Sequence, residues 1–149
     1  MGPDGSTILV VDKEYCNRVT PLIAKAKDEI LICAYSWRIY PNEPEREIQK
    51  LFIEVAKAVK RGVRVRVLAD KYTQIKPLLE QKIECRYIGS KLTMHTKAIC
   101  IDDQYLLLGS HNLTARANEY NHEASLLVTD MEPILQFYKY FNAIWGKLA

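Results

Sequence analysis

The chain has 149 residues, is 48% hydrophobic and 26% charged, and carries a formal net charge of +3 with an isoelectric point near 8.6. These values describe one soluble globular domain over 1–149 with room for a sizeable core, mildly basic in a way that suits an anionic ligand without demanding one. They exclude a membrane span, because no apolar run approaches the roughly 18–20 residues that one needs.

Cys16, Cys33, Cys85 and Cys100 form no Cys-x-x-Cys pair and no metal-type spacing with histidine, so neither a metal nor a cofactor is expected. Cys33 and Cys100 lie inside apolar runs and read as buried, reduced thiols. The amino-terminal Met-Gly-Pro-Asp-Gly-Ser shows no basic and apolar leader regions, so a chain complete as written would be cytoplasmic.

Ser6 to Val11 reads as a strand, and Lys13 to Lys27 as a helix with Val19, Leu22, Ile23 and Ala26 on one face. Glu29 to Tyr35 is a strand buried on both faces. The segment SWRIYPNEPE, with two prolines and no periodicity, is a loop that serves as either a lid or a plain connection. Pro44 to Arg61 is the clearest helix; it presents Ile48, Leu51, Phe52, Val55, Ala56 and Val59 and ends at Gly62. Val63 to Leu68 follows as a strand in which Arg64 and Arg66 alternate with valines, the pattern of a solvated edge face or, less often, of a phosphate track. Tyr72 to Gln81 is expected as a helix, Ile83 to Ile88 as a strand, Ala124 to Val128 as a strand and Ile134 to Leu148 as a closing helix. Strands alternating with helices, plus one hairpin, indicate an α/β sandwich with a mixed central sheet and helices on both faces.

The chemistry concentrates between Met94 and Glu123. His95 and Lys97 have the spacing that puts both side chains on one face of a strand, about 6–7 Å apart. The strand TKAICI ends at Asp102-Asp103-Gln104, and YLLLG returns from it as a hairpin. A two-residue turn at Asp103-Gln104 sets Ser110 opposite Lys97 and Asn112 opposite His95. An imidazole, an ammonium, a hydroxyl and an amide in one place form a phosphate-handling set: the imidazole attacks or protonates near neutrality, and the others hold phosphoryl oxygens. Asp102, an odd number of positions from His95, points to the other face and has a structural task at the turn.

The pattern His95-x-Lys97-x4-Asp102-x6-Gly109-Ser110-x-Asn112 resembles the HKD motif of the phospholipase D superfamily, in its single-motif, nuclease-like branch. ILICAYS and AVKRGVRVRVLAD resemble the same superfamily. The resemblance implies the phospholipase D-like α-β-α sandwich and a metal-independent phosphodiesterase. In it His95 is the nucleophile that forms a phosphohistidine, Lys97 and Asn112 are phosphate ligands, and Ser110 orients the site. Glu123 is the carboxylate that hydrogen-bonds the far nitrogen of the histidine, and Asp102 and Gly109 are structural. A second histidine must protonate the leaving group. One motif and no internal repeat therefore point to a homodimer with a shared site.

Family members of this size are most often endonucleases on DNA or RNA, and Arg38, Lys71, Lys91 and Arg116 lie in loops placed to hold backbone phosphates. A lipid phosphodiesterase is the alternative and calls for an apolar rim, for which Trp37, Ile39 and Tyr40 are the candidates. A nuclease or targeting module cut from a larger restriction or helicase protein is a third reading.

Overall fold

The apolar runs become strands β1 (Thr7–Val11), β2 (Glu29–Trp37), β3 (Arg64–Thr73), β4 (Glu84–Tyr87), β5 (Ala98–Ile101), β6 (Tyr105–Gly109) and β7 (Ala124–Val128). The amphipathic runs become helices α1 (Glu14–Ala24), α2 (Glu47–Lys60), α3 (Ile75–Glu80), α4 (Ala115–Glu119) and α5 (Met131–Lys147). The computed structural model describes residues 5–148. Residues 1–4, read above for a leader, and residue 149 lie outside the described residues.

One sheet holds all the strands in the order β1-β7-β6-β5-β2-β3-β4. Strands β2, β3 and β4 run parallel, joined by α2 and α3, and the remaining pairs are antiparallel. The continuous apolar run of β2 has its reason here. Ile30, Ile32 and Ala34 pack into one core layer with α1 and α2, while Leu31 and Cys33 pack into the other with α5. The chain is thus an α/β sandwich with helices on both faces of a mixed sheet. All four cysteines are free, and burial pushes the thiols of Cys33 and Cys100 up to about 12.

Several local expectations are corrected. Helix α2 starts at Glu47 rather than Pro44, preceded by Arg46 in extended backbone, whose side chain is held by Glu43 and Glu119. Strand β3 runs on to Thr73, so the helix expected from Tyr72 is only Ile75–Glu80. Helix α5 starts three residues before Ile134, because the Asp130 side chain caps it and Pro133 is tolerated in a first turn.

Arg66 does not face solvent. It is 6% exposed, lies on an interior strand beneath α5, pairs with Glu29 at 2.9 Å and Asn142 at 2.9 Å, and lies over the rings of Phe141 and Trp145. Only Arg64 of the pair is exposed, bound to Glu84. A phosphate track along these arginines is therefore excluded.

The hairpin register differs by one residue. Ile101 pairs with Tyr105 across a three-residue loop in which Asp102 and Asp103 take φ of 54° and 57°. Aspartate tolerates that left-handed conformation, and a three-residue loop shifts every cross-strand pair. Lys97 consequently faces Gly109, whose amide donates to the Lys97 carbonyl at 3.3 Å.

The Asp102 carboxylate accepts the amides of Lys27, Asp28 and Glu29 at 2.8, 2.8 and 2.9 Å, tying the hairpin tip to the start of β2. Charge-assisted bonds of this kind are the strong class. Asp102→Ala is expected to lower unfolding free energy by about 2–3 kcal/mol in urea titration, and Asp102→Asn by less, since one oxygen remains. A loss below about 0.5 kcal/mol in the alanine variant would remove this anchor from the account.

Candidate active site

The site gathers at the end of the sheet where β2 and β3 finish, β5 begins, β6 finishes and β7 begins. His95 precedes β5 instead of lying within it, and its two neighbours are both anchored. The Met94 amide donates to the buried Asp70 carboxylate at 2.7 Å, and the Thr96 hydroxyl hydrogen-bonds the Tyr140 hydroxyl at 2.7 Å. Between these anchors the imidazole is exposed, with the Tyr35 ring edge-on at 4.8 Å between centroids.

Lys97 donates to the His95 carbonyl at 2.9 Å. Its Nζ lies 3.4 Å from Nδ1 and 3.5 Å from Nε2 of the same residue, and 5.1 Å from the Tyr35 ring centre. Burial pulls the ammonium below the ordinary lysine range, and the negative charge of Glu123 opposes that shift. A half-buried cation beside an open imidazole is a strong attractor for an anion.

Ser110 and Glu123 meet at the next strand ends. The Ser110 hydroxyl donates to Glu123 Oε1 in a short hydrogen bond and accepts from the Ala124 amide at 3.0 Å. Asn121 donates to Glu123 Oε2 at 2.8 Å, and Asp12 accepts the Glu123 amide at 2.8 Å. That amide, followed by His122, holds the Asp12 carboxyl below the usual carboxylate range. Glu123 thus bonds Ser110 and Asn121 in this structure, not the ring of His95.

Asn112 lines the same small cavity as Lys97; its Oδ1 is buried with no hydrogen-bond partner, and its Nδ2 is the atom able to donate to a phosphoryl oxygen. The adjacent His111 is not part of this open set. It is buried, hydrogen-bonds Ser125 and the Asp12 carbonyl, and stacks on Tyr15 at 4.4 Å. Desolvation lowers its pKa.

A cleft of about 590 Å³ opens beside Asn112 and Tyr35, and Arg38, Lys71 and Arg116 line it. Lys91 does not; it lies in the exposed loop before Met94. Sequence reasoning overlooked Tyr35, Asp70, Asn121 and Asp12. Their signal was positional: Asp12 follows β1, Tyr35 and Asp70 lie in the last third of β2 and β3, and Asn121 lies in the segment leading into β7, near the strand ends where ligand sites of α/β sheets collect. Among the described residues no group of three or more His, Cys, Asp and Glu side chains is arranged to hold a metal ion.

Gly109 is required by contact rather than by backbone angle. A Cβ there would collide with Ser125 Cα and Oγ and with the Ala124 carbonyl of the neighbouring strand. Gly109→Ala is expected to cost about 1–3 kcal/mol in urea titration, and more where β7 cannot shift. It should also displace Ser110 and Glu123. An alanine variant of native stability would show that the two strands have room to part.

Residues 19–145 match the family described as "Cardiolipin synthase, PLD-like domain". The mitochondrial cardiolipin hydrolase of Mus musculus is 28% identical over 153 residues, covering 97% of this chain and 64% of its own length. The protein of that name from Canis lupus familiaris is 35% identical over 130 residues, covering 83% and 47%. The chain therefore spans about half to two thirds of these curated relatives. Among solved structures, NucT from Helicobacter pylori superposes with a TM-score of 0.78 at 20% identity, covering 95% of this chain and 96% of that one. Nuc from Salmonella typhimurium, a phospholipase D family member, gives 0.79 at 22% identity, covering 95% and 94%. These two likenesses show the fold, and the match over residues 19–145 shows the family. The chain belongs to the phospholipase D-like family.

Proposed function

We propose that the protein is a metal-independent phosphodiesterase, acting as an endonuclease on DNA or RNA at a site shared by two copies of the chain. The observation that carries this reading is the open imidazole of His95, fixed between two anchored neighbours and touching the partly buried ammonium of Lys97. A lone pair on a His95 ring nitrogen attacks phosphorus and forms an N–P bond. The bond to the leaving oxygen breaks with its electron pair, and His95 of the second copy supplies the proton. Water then attacks the phosphohistidine and gives its proton back to that second histidine, and the N–P bond breaks. Lys97 and Asn112 hold the non-bridging oxygens as charge builds on them. Ser110, fixed by Glu123, keeps the strand ends in register around them.

Two supports favour the shared site. The chain has one such histidine set, and the reaction needs an acid and a nucleophile on opposite sides of phosphorus. Beside the motif, Leu9 pairs with Leu126 and Leu126 with Leu108, a row of leucines 61%, 42% and 43% exposed that ends one residue from Gly109. An apolar row contiguous with half a site fits a second copy about a two-fold axis.

The names of the curated relatives favour a second reading, hydrolysis of a phospholipid diester. The residues expected to form its apolar rim offer little exposed apolar surface, although Tyr40 lines the cleft. Trp37 is fully buried, Ile39 and Tyr40 pack against the core, and the Tyr40 hydroxyl accepts the Ala115 amide at 2.8 Å. The cationic cleft favours the nucleic-acid reading. Among the described residues no helix is long and apolar enough to cross a membrane.

Cleavage of oligonucleotides and of cardiolipin vesicles, both in excess EDTA, separates these readings. Hydrolysis of the oligonucleotide is expected to persist, and activity restored only by a divalent ion would overturn the chemistry. His95→Ala should abolish turnover, while Lys97→Ala should raise the barrier by about 2–4 kcal/mol. When native and His95→Ala chains are unfolded together and refolded, activity should follow the square of the native fraction. At equal amounts about a quarter of the dimers are then competent. A linear decline, or full activity in a sedimenting monomer, would sink the shared site.

A further inference from the structure

The end of β3 carries a device that phosphate chemistry alone does not require. Strands β2 and β3 keep one register from Glu29–Arg64 to Ala34–Ala69, then slip by one residue so that Ser36 faces Tyr72. A bulge re-aims the side chains that follow it. Here the result is two successive exposed residues, Lys71 and Tyr72, between buried Asp70 and buried Thr73. The Lys71 amide is held by its neighbour's carboxylate at 2.8 Å, so the bulge is fixed in place.

Tyr72 presents its ring to the cleft. It is 49% exposed, Lys71 Nζ lies 5.2 Å from its ring centre, and Tyr35 packs against it at 5.1 Å between centroids. Tyr35 in turn touches the His95 ring. A half-exposed aromatic ring therefore lies one ring away from the proposed nucleophile, with Lys71, Arg38 and Arg116 around it. A cleft of this volume is within the roughly 300–1,000 Å³ of ligand pockets. An aromatic face among cations is the arrangement that holds unpaired bases and their backbone; a lipid chain has no use for the cations beyond its headgroup.

Building on the phosphodiesterase reading, we infer that Tyr72 is a stacking platform for the base next to the scissile phosphate, which makes single-stranded nucleic acid the substrate. A base paired within a duplex keeps its faces stacked on its neighbours and cannot reach the ring without flipping out.

The test compares native protein with Tyr72→Ala, Tyr72→Phe and Tyr72→Trp on three probes. They are an oligothymidylate of about 12 nucleotides, a strand of equal length built from abasic tetrahydrofuran units, and methyl p-nitrophenyl phosphate. Tyr72→Ala should lose roughly 10- to 100-fold in kcat/KM on oligothymidylate, the range of one lost base stack. Its loss on the abasic strand and on the small diester should be smaller by at least about tenfold. Tyr72→Phe and Tyr72→Trp, which keep the stacking face, should stay near native and guard against a folding defect. With His95→Ala added to stop turnover, the Tyr72→Trp protein should show indole fluorescence quenched by oligothymidylate and not by the abasic strand.

Equal losses on all three probes, a duplex cut as fast as the single strand, or cardiolipin vesicles preferred over oligothymidylate would overturn the inference. Failure of the native protein to cleave even the small diester would overturn the phosphodiesterase reading itself.

Discussion

Three amide hydrogens converge on the carboxylate of Asp102, and the placement of the motif follows from that bond set. Asp102 and Asp103 adopt left-handed backbone, which makes the β5–β6 loop three residues long. Loop length fixes the register, and register decides which residue of β6 lies beside Lys97. With Gly109 in that position, the bare backbone lets β7 approach until the Ser110 hydroxyl reaches both the Ala124 amide and Glu123. An aspartate at the far end of the hairpin therefore governs the spacing of polar groups at the reactive end.

The reactive side chains are held lightly and their backbones firmly. Asp70 takes the Met94 amide, Asp12 takes the Glu123 amide, and Asn118 donates to the carbonyls of Asn112 and Thr114. Each of these three polar groups fixes a main-chain segment that carries a site residue, and Asp70 and Asn118 are themselves buried. In the proposed reaction the ring of His95 has to meet phosphorus, so it needs no fixed hydrogen bond. Preorganisation is thus placed in the surrounding shell, where a fixed geometry would cost the proposed nucleophile none of its access.

The motif was legible in the sequence because its residues are close along the chain and of types with few alternative uses in combination. The sandwich was legible too, since the double-sided apolar run of β2 and the helical faces of α1 and α2 state their own burial. What stayed hidden depended on distant parts of the chain. Arg66 reads as a solvated residue until α5, more than seventy positions later, lays Phe141, Asn142 and Trp145 over it. The register turned on the φ angles of two aspartates, which an amino-acid type permits but does not dictate. Tyr35 and Tyr72 read only as the end of a strand and the start of a helix, because nothing local to either marks a site residue. Topology brings the ends of β2 and β3 together, and the slip between them turns Tyr72 outward.

The electrostatics of the site fit half of the proposed symmetric reaction. Lys97 bears a cation that burial disfavours, and Glu123 offsets this only in part. The Asn112 amide lines the same small cavity, and its Nδ2–H groups are its donors. A dianionic transition state about phosphorus would be drawn to that cation and those donors more strongly than a monoanionic diester. One copy supplies cation and amide on one side of such a centre and nothing on the other. A second copy brought up against the leucine row of Leu9, Leu126 and Leu108 would add the mirrored set and exclude water from both. The same apolar contact would then assemble the acid and strengthen every charge interaction at the centre.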